Sequence, residues 1–176
     1  MRPAARGAGA YTVRTMIEYS VLFVCTGNTC RSPMAEALAR TLLADRKGVP
    51  ASDLESAGVR VRSAGVFASP GSAATPEAVD AVAAMGADLS GHASQPLTEA
   101  LIQDADVIYT MTDQHRLAAL TLNPGAAEKT HRLDPDRDIA DPIGGPPAIY
   151  AQSAAMIRDA IVRRLDERFG EATPKG

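Results

Sequence analysis

Cysteine is scarce in this chain of 176 residues: only Cys25 and Cys30. Two thiols so close together cannot staple distant parts of a fold, which excludes a disulfide scaffold. Tryptophan is absent and aromatics make up 4% of the residues, so the rings of a base-stacking platform are missing. The three histidines, His92, His115 and His131, fall in no ligand spacing, and no metal is expected. No apolar run approaches the ~18 residues of a membrane span, and no membrane partner is expected. Charge of one sign is also lacking. Eighteen basic against 21 acidic side chains give a net charge of −3, which speaks against a surface that coats nucleic acid.

What is present is aliphatic. Apolar residues are 45%, charged residues 22%, and 33 are alanine, so the core must rest on aliphatics and close helix packing. The length suits one domain. Residues 1–16 carry Arg2, Arg6 and Arg14, no acid, and Gly/Ala filler. Without an apolar stretch this is no secretory signal, and it is expected to be a flexible leader, with Met16 as an alternative start. The domain is expected over 17–170, with a tail over 171–176.

Order begins at Ser20. Val21, Leu22, Phe23 and Val24 form a continuous apolar run ending at Cys25, the pattern of a strand buried on both faces. A polar loop with Gly27 and Asn28 follows. Ser32 reads as an N-cap with Pro33 opening a helix, and Met34, Leu38 and Leu42 fall on one face. Residues 59–63 alternate like a strand nearer an edge. Thr75 and Pro76 start a helix through Met85 that Gly86 ends. A short helix is expected over 97–105, a second buried strand over 107–109, a helix over 113–122 and a fourth strand over 131–133. Residues 134–147 read as a long Asp/Pro/Gly loop. The last helix runs from about 148 to 169, with Ile157, Ile161, Leu165 and Phe169 on one stripe. Strands alternating with helices predict an α/β fold with a mostly parallel sheet. Ligands in such sheets bind at the carboxyl ends of strands, where Cys25 stands.

The loop Cys25-Thr26-Gly27-Asn28-Thr29-Cys30-Arg31-Ser32 carries the chemistry. A loop that leaves a strand and enters a helix can curl until successive N–H groups line one bowl, which with the helix N-terminus binds a tetrahedral dianion. Gly27 eases the turn. Arg31 closes the rim with a bidentate grip on two phosphate oxygens. The same positive field favours thiolate over thiol, and Ser32 is placed to donate to it. Thr26 through Ser32 are therefore the expected phosphate-binding residues.

The run Val21–Glu36 resembles the low-molecular-weight protein tyrosine phosphatase family, and more narrowly the bacterial protein arginine phosphatases. The likeness continues through residues 61–66, through 89–96 around His92, through Met111-Thr112, and through Asp141-Pro142-Ile143-Gly144-Gly145. It implies a three-layer α/β/α fold with a four-stranded parallel sheet and a phosphate-binding loop after the first strand. It further implies that Cys25 attacks phosphorus to form a phosphocysteine, that Arg31 and the loop amides stabilise the equatorial oxygens, and that Asp141 serves as general acid and then base. The alternative for Asp141 is a turn former, since Asp-Pro favours turns, and Asp134-Pro135 is a decoy in the same stretch; the resemblance prefers Asp141 because its Asp-Pro-x-Gly-Gly context matches the family's acid loop. The resemblance makes Asn28, Ser32 and His92 braces of the loop.

Thr29 is the discriminating residue. The resemblance implies Thr here in arginine phosphatases and a larger aliphatic in tyrosine-specific members. Ile143 replaces an aromatic that would sandwich a phenol ring, although some arginine phosphatases carry Phe there. Hydrolysis of phosphoarginine on proteins is the expected activity, with phosphotyrosine as the alternative. Arsenate reduction on the same fold relays electrons through further cysteines, which this chain lacks. A phosphate-binding module without turnover would need a lost nucleophile or acid. Cys30 is a candidate to trap oxidised Cys25 as a disulfide; a small side chain packing the loop is the equal alternative. No cofactor is expected. Phosphorylated proteins are the expected partners, for a cytoplasmic monomer.

Overall fold

The structure is a computed structural model that describes residues 16–171. The expected leader up to residue 15, and the tail beyond residue 171, lie outside the described residues. The elements run in the order β1 (Tyr19–Cys25), α1 (Arg31–Lys47), β2 (Val59–Gly65), α2 (Pro76–Ala83), α3 (Glu99–Asp104), β3 (Val107–Thr110), α4 (Asp113–Leu122), β4 (Thr130–Arg132) and α5 (Pro147–Phe169). Short 3-10 turns at Ala51–Asp53 and Pro124–Lys129 join some of them. The strands form one parallel sheet in the order β2-β1-β3-β4.

The continuous apolar run of β1 has a direct physical reason. Side chains alternate across a strand, and both faces of this one are covered. Tyr19, Val21, Phe23 and Cys25 pack into a core with Met34, Leu38, Ile157 and Ile161 from α1 and α5. Leu22 and Val24 pack on the other side with Ile102, Ile108 and Ala119, from α3, β3 and α4. The result is the three-layer α/β/α arrangement. β2 lies at the sheet edge, and its alternating burial matches the alternating sequence.

Three local expectations need correction. Ser32 does not cap α1. The N-cap is Cys30, and no side chain bonds the first amides. Ser32 lies inside the first turn with its hydroxyl turned to the sulfur of Cys25. The helix N-terminus thus keeps its amides for the loop in front of it. β4 runs one residue earlier than expected, because Leu133 turns into the core after its N–H has bonded the Thr110 carbonyl. Phe169 ends the α5 stripe half exposed, edge-on to the Tyr19 ring at 5.2 Å between centroids.

At the carboxyl end of β2, Gly65 lies directly behind the loop. A Cβ there would stand 2.5 Å from the Thr26 carbonyl oxygen and 2.9 Å from the Asn28 nitrogen, so only glycine permits this approach.

Candidate active site

The loop after β1 is built around Asn28. Its φ of 56° is the left-handed conformation that Asn tolerates and most residues resist. In that conformation its N–H points at the Cys25 sulfur, 3.3 Å away. Its side-chain amide donates to Ser32 Oγ and to Ser63 Oγ, both at 2.9 Å. Its Oδ1 accepts the Gln95 N–H at 2.9 Å. The His92 ring donates through Nε2 to the Asn28 carbonyl at 2.7 Å, which fixes the proton on that nitrogen because a carbonyl only accepts.

Cys25 is buried at the floor of this turn. Ser32 Oγ lies 2.9 Å from its sulfur. Since the Asn28 amide donates into Ser32 Oγ, the serine proton is free for the sulfur, its other acceptor being the Ala64 carbonyl at 3.3 Å. Two donors therefore aim at Sγ, an arrangement that favours negative sulfur. Behind them, Ser63 Oγ donates to Glu36 Oε2 at 2.6 Å. Burial pushes the Glu36 carboxyl above its ordinary value, with the Ser63 hydrogen bond and the charges of His92, Arg40 and Arg62 opposing.

Arg31 is buried beside the loop. Its Nη1 donates to the Ile139 carbonyl at 2.8 Å; its Nη2 faces Asp141 Oδ2 at 3.2 Å and Thr26 Oγ1 at 3.4 Å. Asp141 is thus both the turn former and a partner of Arg31: its Oδ1 accepts the Ile143 N–H at 3.2 Å, closing the Asp-Pro turn. The decoy Asp134 is tied elsewhere, to Arg137 and to the Asp136 N–H.

The remaining expected residues fall around this centre. Thr29 is half-buried, and its carbonyl accepts from Thr75 N–H at the start of α2. Ile143 is exposed in the loop that follows Asp141. Cys30 is buried in the core, its sulfur 3.6 Å from Thr75 Oγ1 and 3.6 Å from the Tyr150 hydroxyl. Both cysteines are free. Among the described residues no group of three or more His, Cys, Asp or Glu side chains is arranged to hold a metal ion. Among them, too, no helix is long and apolar enough to cross a membrane.

Sequence reasoning missed five residues here: Glu36, Ser63, Phe67, Gln95 and His115. Glu36 and Ser63 lie within the motif stretches and were open to notice. Phe67 follows Gly65-Val66, and its N–H bonds the Thr26 carbonyl at 2.9 Å, which sets an 84% exposed ring at the rim of the loop. Gln95 lies in the matching stretch 89–96 and was likewise open to notice, whereas His115 is distant in sequence from the loop it touches and carried no local signal.

A parallel α/β sheet, a curled loop at the end of its first strand, a cysteine at the floor of that loop and an Arg–Asp pair beside it define a cysteine-dependent phosphatase fold. The chain belongs to the low molecular weight phosphotyrosine protein phosphatase family, which it matches over residues 20–172. The protein-arginine-phosphatase of Bacillus subtilis (strain 168) is 44% identical over 154 residues, which is 85% of this chain and 95% of that protein. The solved YwlE arginine phosphatase variant with a phosphorylated active-site serine superposes with a TM-score of 0.72 at 39% identity, over 85% of this chain and 97% of that one. The low molecular weight protein tyrosine phosphatase from T. tengcongensis has a TM-score of 0.75 at 32% identity, over 85% of this chain and 99% of its own.

Proposed function

We propose that this protein removes phosphate from arginine side chains of proteins through a phosphocysteine intermediate. The observation that carries the reading is the pair of donors on the Cys25 sulfur, with Arg31 buried alongside and joined to Asp141. The sulfur attacks phosphorus in line. The P–N bond breaks, and Asp141 gives its proton to the departing guanidine nitrogen. Arg31 and the amides of Thr26 through Ser32 hold the equatorial oxygens. The Asp141 carboxylate then takes a proton from water, whose oxygen attacks the phosphocysteine. Inorganic phosphate leaves and the thiolate returns. Asn28, Ser32 and His92 keep the loop curled through these steps.

Selectivity rests on Thr29 and Ile143 in this reading. Thr29 offers a small polar wall and Ile143 offers no ring to stack on a phenol. The likeness to arginine phosphatases supports the same choice. One observation favours phosphotyrosine instead: the exposed Phe67 ring at the rim, a surface for a flat phenyl group. Arsenate reduction finds no relay, because the chain has no cysteine outside the loop. Two free thiols suit a reducing compartment, so we read the protein as cytoplasmic, acting as a monomer on phosphoproteins with a site built from one chain.

The test compares kcat/KM for matched phosphoarginine and phosphotyrosine peptides. Phosphoarginine is expected to be faster, Thr29→Ile to raise phosphotyrosine turnover, and Cys25→Ser to abolish both while still binding phosphate. Faster tyrosine turnover that Thr29→Ile leaves unchanged removes the reading of Thr29, and an active Cys25→Ser removes the mechanism.

A further inference from the structure

We propose that His115 positions the phosphate-gripping arginine by holding the Thr26 hydroxyl against it. The inference rests on the phosphatase reading above. His115 is on the first turn of α4, where its backbone N–H is capped by Thr112 Oγ1 at 3.2 Å. The ring is buried. Its Nε2 stands 2.8 Å from Thr26 Oγ1, 89 positions away in sequence, while its Nδ1 has no partner among the described residues. Thr26 Oγ1 in turn receives Arg31 Nη2 at 3.4 Å.

A buried imidazole with one unpartnered nitrogen is a costly way to fill space, and an apolar side chain would serve packing better. The hydrogen bond to Thr26 accounts for its presence. Burial first, and then the Arg31 charge, push the ring's pKa down to about 4, with Asp141 and Asp138 opposing. His115 is therefore neutral near pH 7 and acts by geometry. It fixes the orientation of a hydroxyl, whose lone pair then meets an arginine that can only donate. Arg31 is held on one side by the Ile139 carbonyl and on the other by Asp141 and Thr26. Two of these three holds, the Ile139 carbonyl and the Thr26 hydroxyl, do not involve Asp141. A guanidinium kept in plane is what a bidentate grip on phosphate requires.

The experiment compares wild type, His115→Phe, His115→Gln, Thr26→Val and the double variant His115→Phe/Thr26→Val. Each is assayed with para-nitrophenyl phosphate, with competitive inhibition by inorganic phosphate, and with thermal melting as a control. Loss of one hydrogen bond corresponds to about a tenfold effect. His115→Phe and Thr26→Val are each expected to lower kcat/KM about tenfold and to raise the phosphate inhibition constant. The double variant should lose no more than either alone, and His115→Gln, which can still reach Thr26, should recover most of the activity. Wild-type kinetics in Thr26→Val, or losses that multiply to about a hundredfold in the double variant, overturn the proposal. If His115→Phe does not fold, Thr26→Val and His115→Gln decide it in the same terms. If wild type hydrolyses no phosphoester and no phosphoramidate, the phosphatase reading fails. The positioning role is then judged by calorimetric binding of inorganic phosphate, which Thr26→Val must still weaken about tenfold.

Discussion

Asn28 concentrates more of the site than any other residue, and its replacement separates two kinds of energy. Asn28→Ala removes the two bonds to Ser32 and Ser63 and the acceptor for the Gln95 N–H. At about 1 kcal/mol each, these amount to roughly 3 kcal/mol of stability. The backbone adds a second effect. Alanine at a φ of 56° is strained where Asn is tolerated, by about 1 kcal/mol. Asn28→Ala should thus cost about 4 kcal/mol and Asn28→Gly about 3, because glycine adopts this conformation without strain. Urea unfolding with linear extrapolation measures both. Activity should follow a different order. Both variants free the Ser32 hydroxyl from its orienting donor, so both should lose kcat on para-nitrophenyl phosphate by roughly tenfold to a hundredfold. Equal or greater stability for the alanine variant, relative to glycine, would refute the claim that the loop is held in a strained turn. A loss below about 1 kcal/mol in both would refute the hub itself.

Asp141→Asn removes the proposed proton donor and should lower kcat on a phosphoarginine peptide by roughly a hundredfold or more, and less on para-nitrophenyl phosphate, whose leaving group needs little help; equal losses on the two substrates would count against the acid role. Because His115 titrates near 4 in the folded protein against 6.5 ordinarily, the unfolded chain holds more protons between those values. Stability should therefore fall as pH drops from about 6.5 to about 4, and melting curves across that range should flatten in His115→Gln. Peroxide should inactivate the wild type in a way that thiol reductants reverse, and Cys30→Ser should make the same inactivation irreversible if Cys30 traps the oxidised sulfur. Equal recovery in both proteins would leave Cys30 as packing against Thr75 and Tyr150.

How much of this was legible depends on where each residue finds its partners. β1 could be read because both of its faces are covered, which forces an unbroken apolar run. β2 could be read because an edge strand alternates. The loop after β1 was legible as a unit because its sulfur, turn and cation lie within eight consecutive residues, between a strand and a helix. Ser32 was misread for an instructive reason. A serine before Pro is a good cap on local grounds, but the Cys25 sulfur and the Asn28 amide compete for the same hydroxyl and win. Asp141 was not separable from Asp134 by local pattern, since both precede proline; only the fold brings one of them to Arg31 and ties the other to Arg137. His115 lay wholly beyond local reading. Its position on α4 follows from the crossover after β3, and parallel strands deliver both the loop and that helix to the same carboxyl end of the sheet. The same topology that makes the catalytic loop readable therefore hides its supports. His115 enters from the end of β3, 89 positions from Thr26, and nothing in its own sequence neighbourhood marks it.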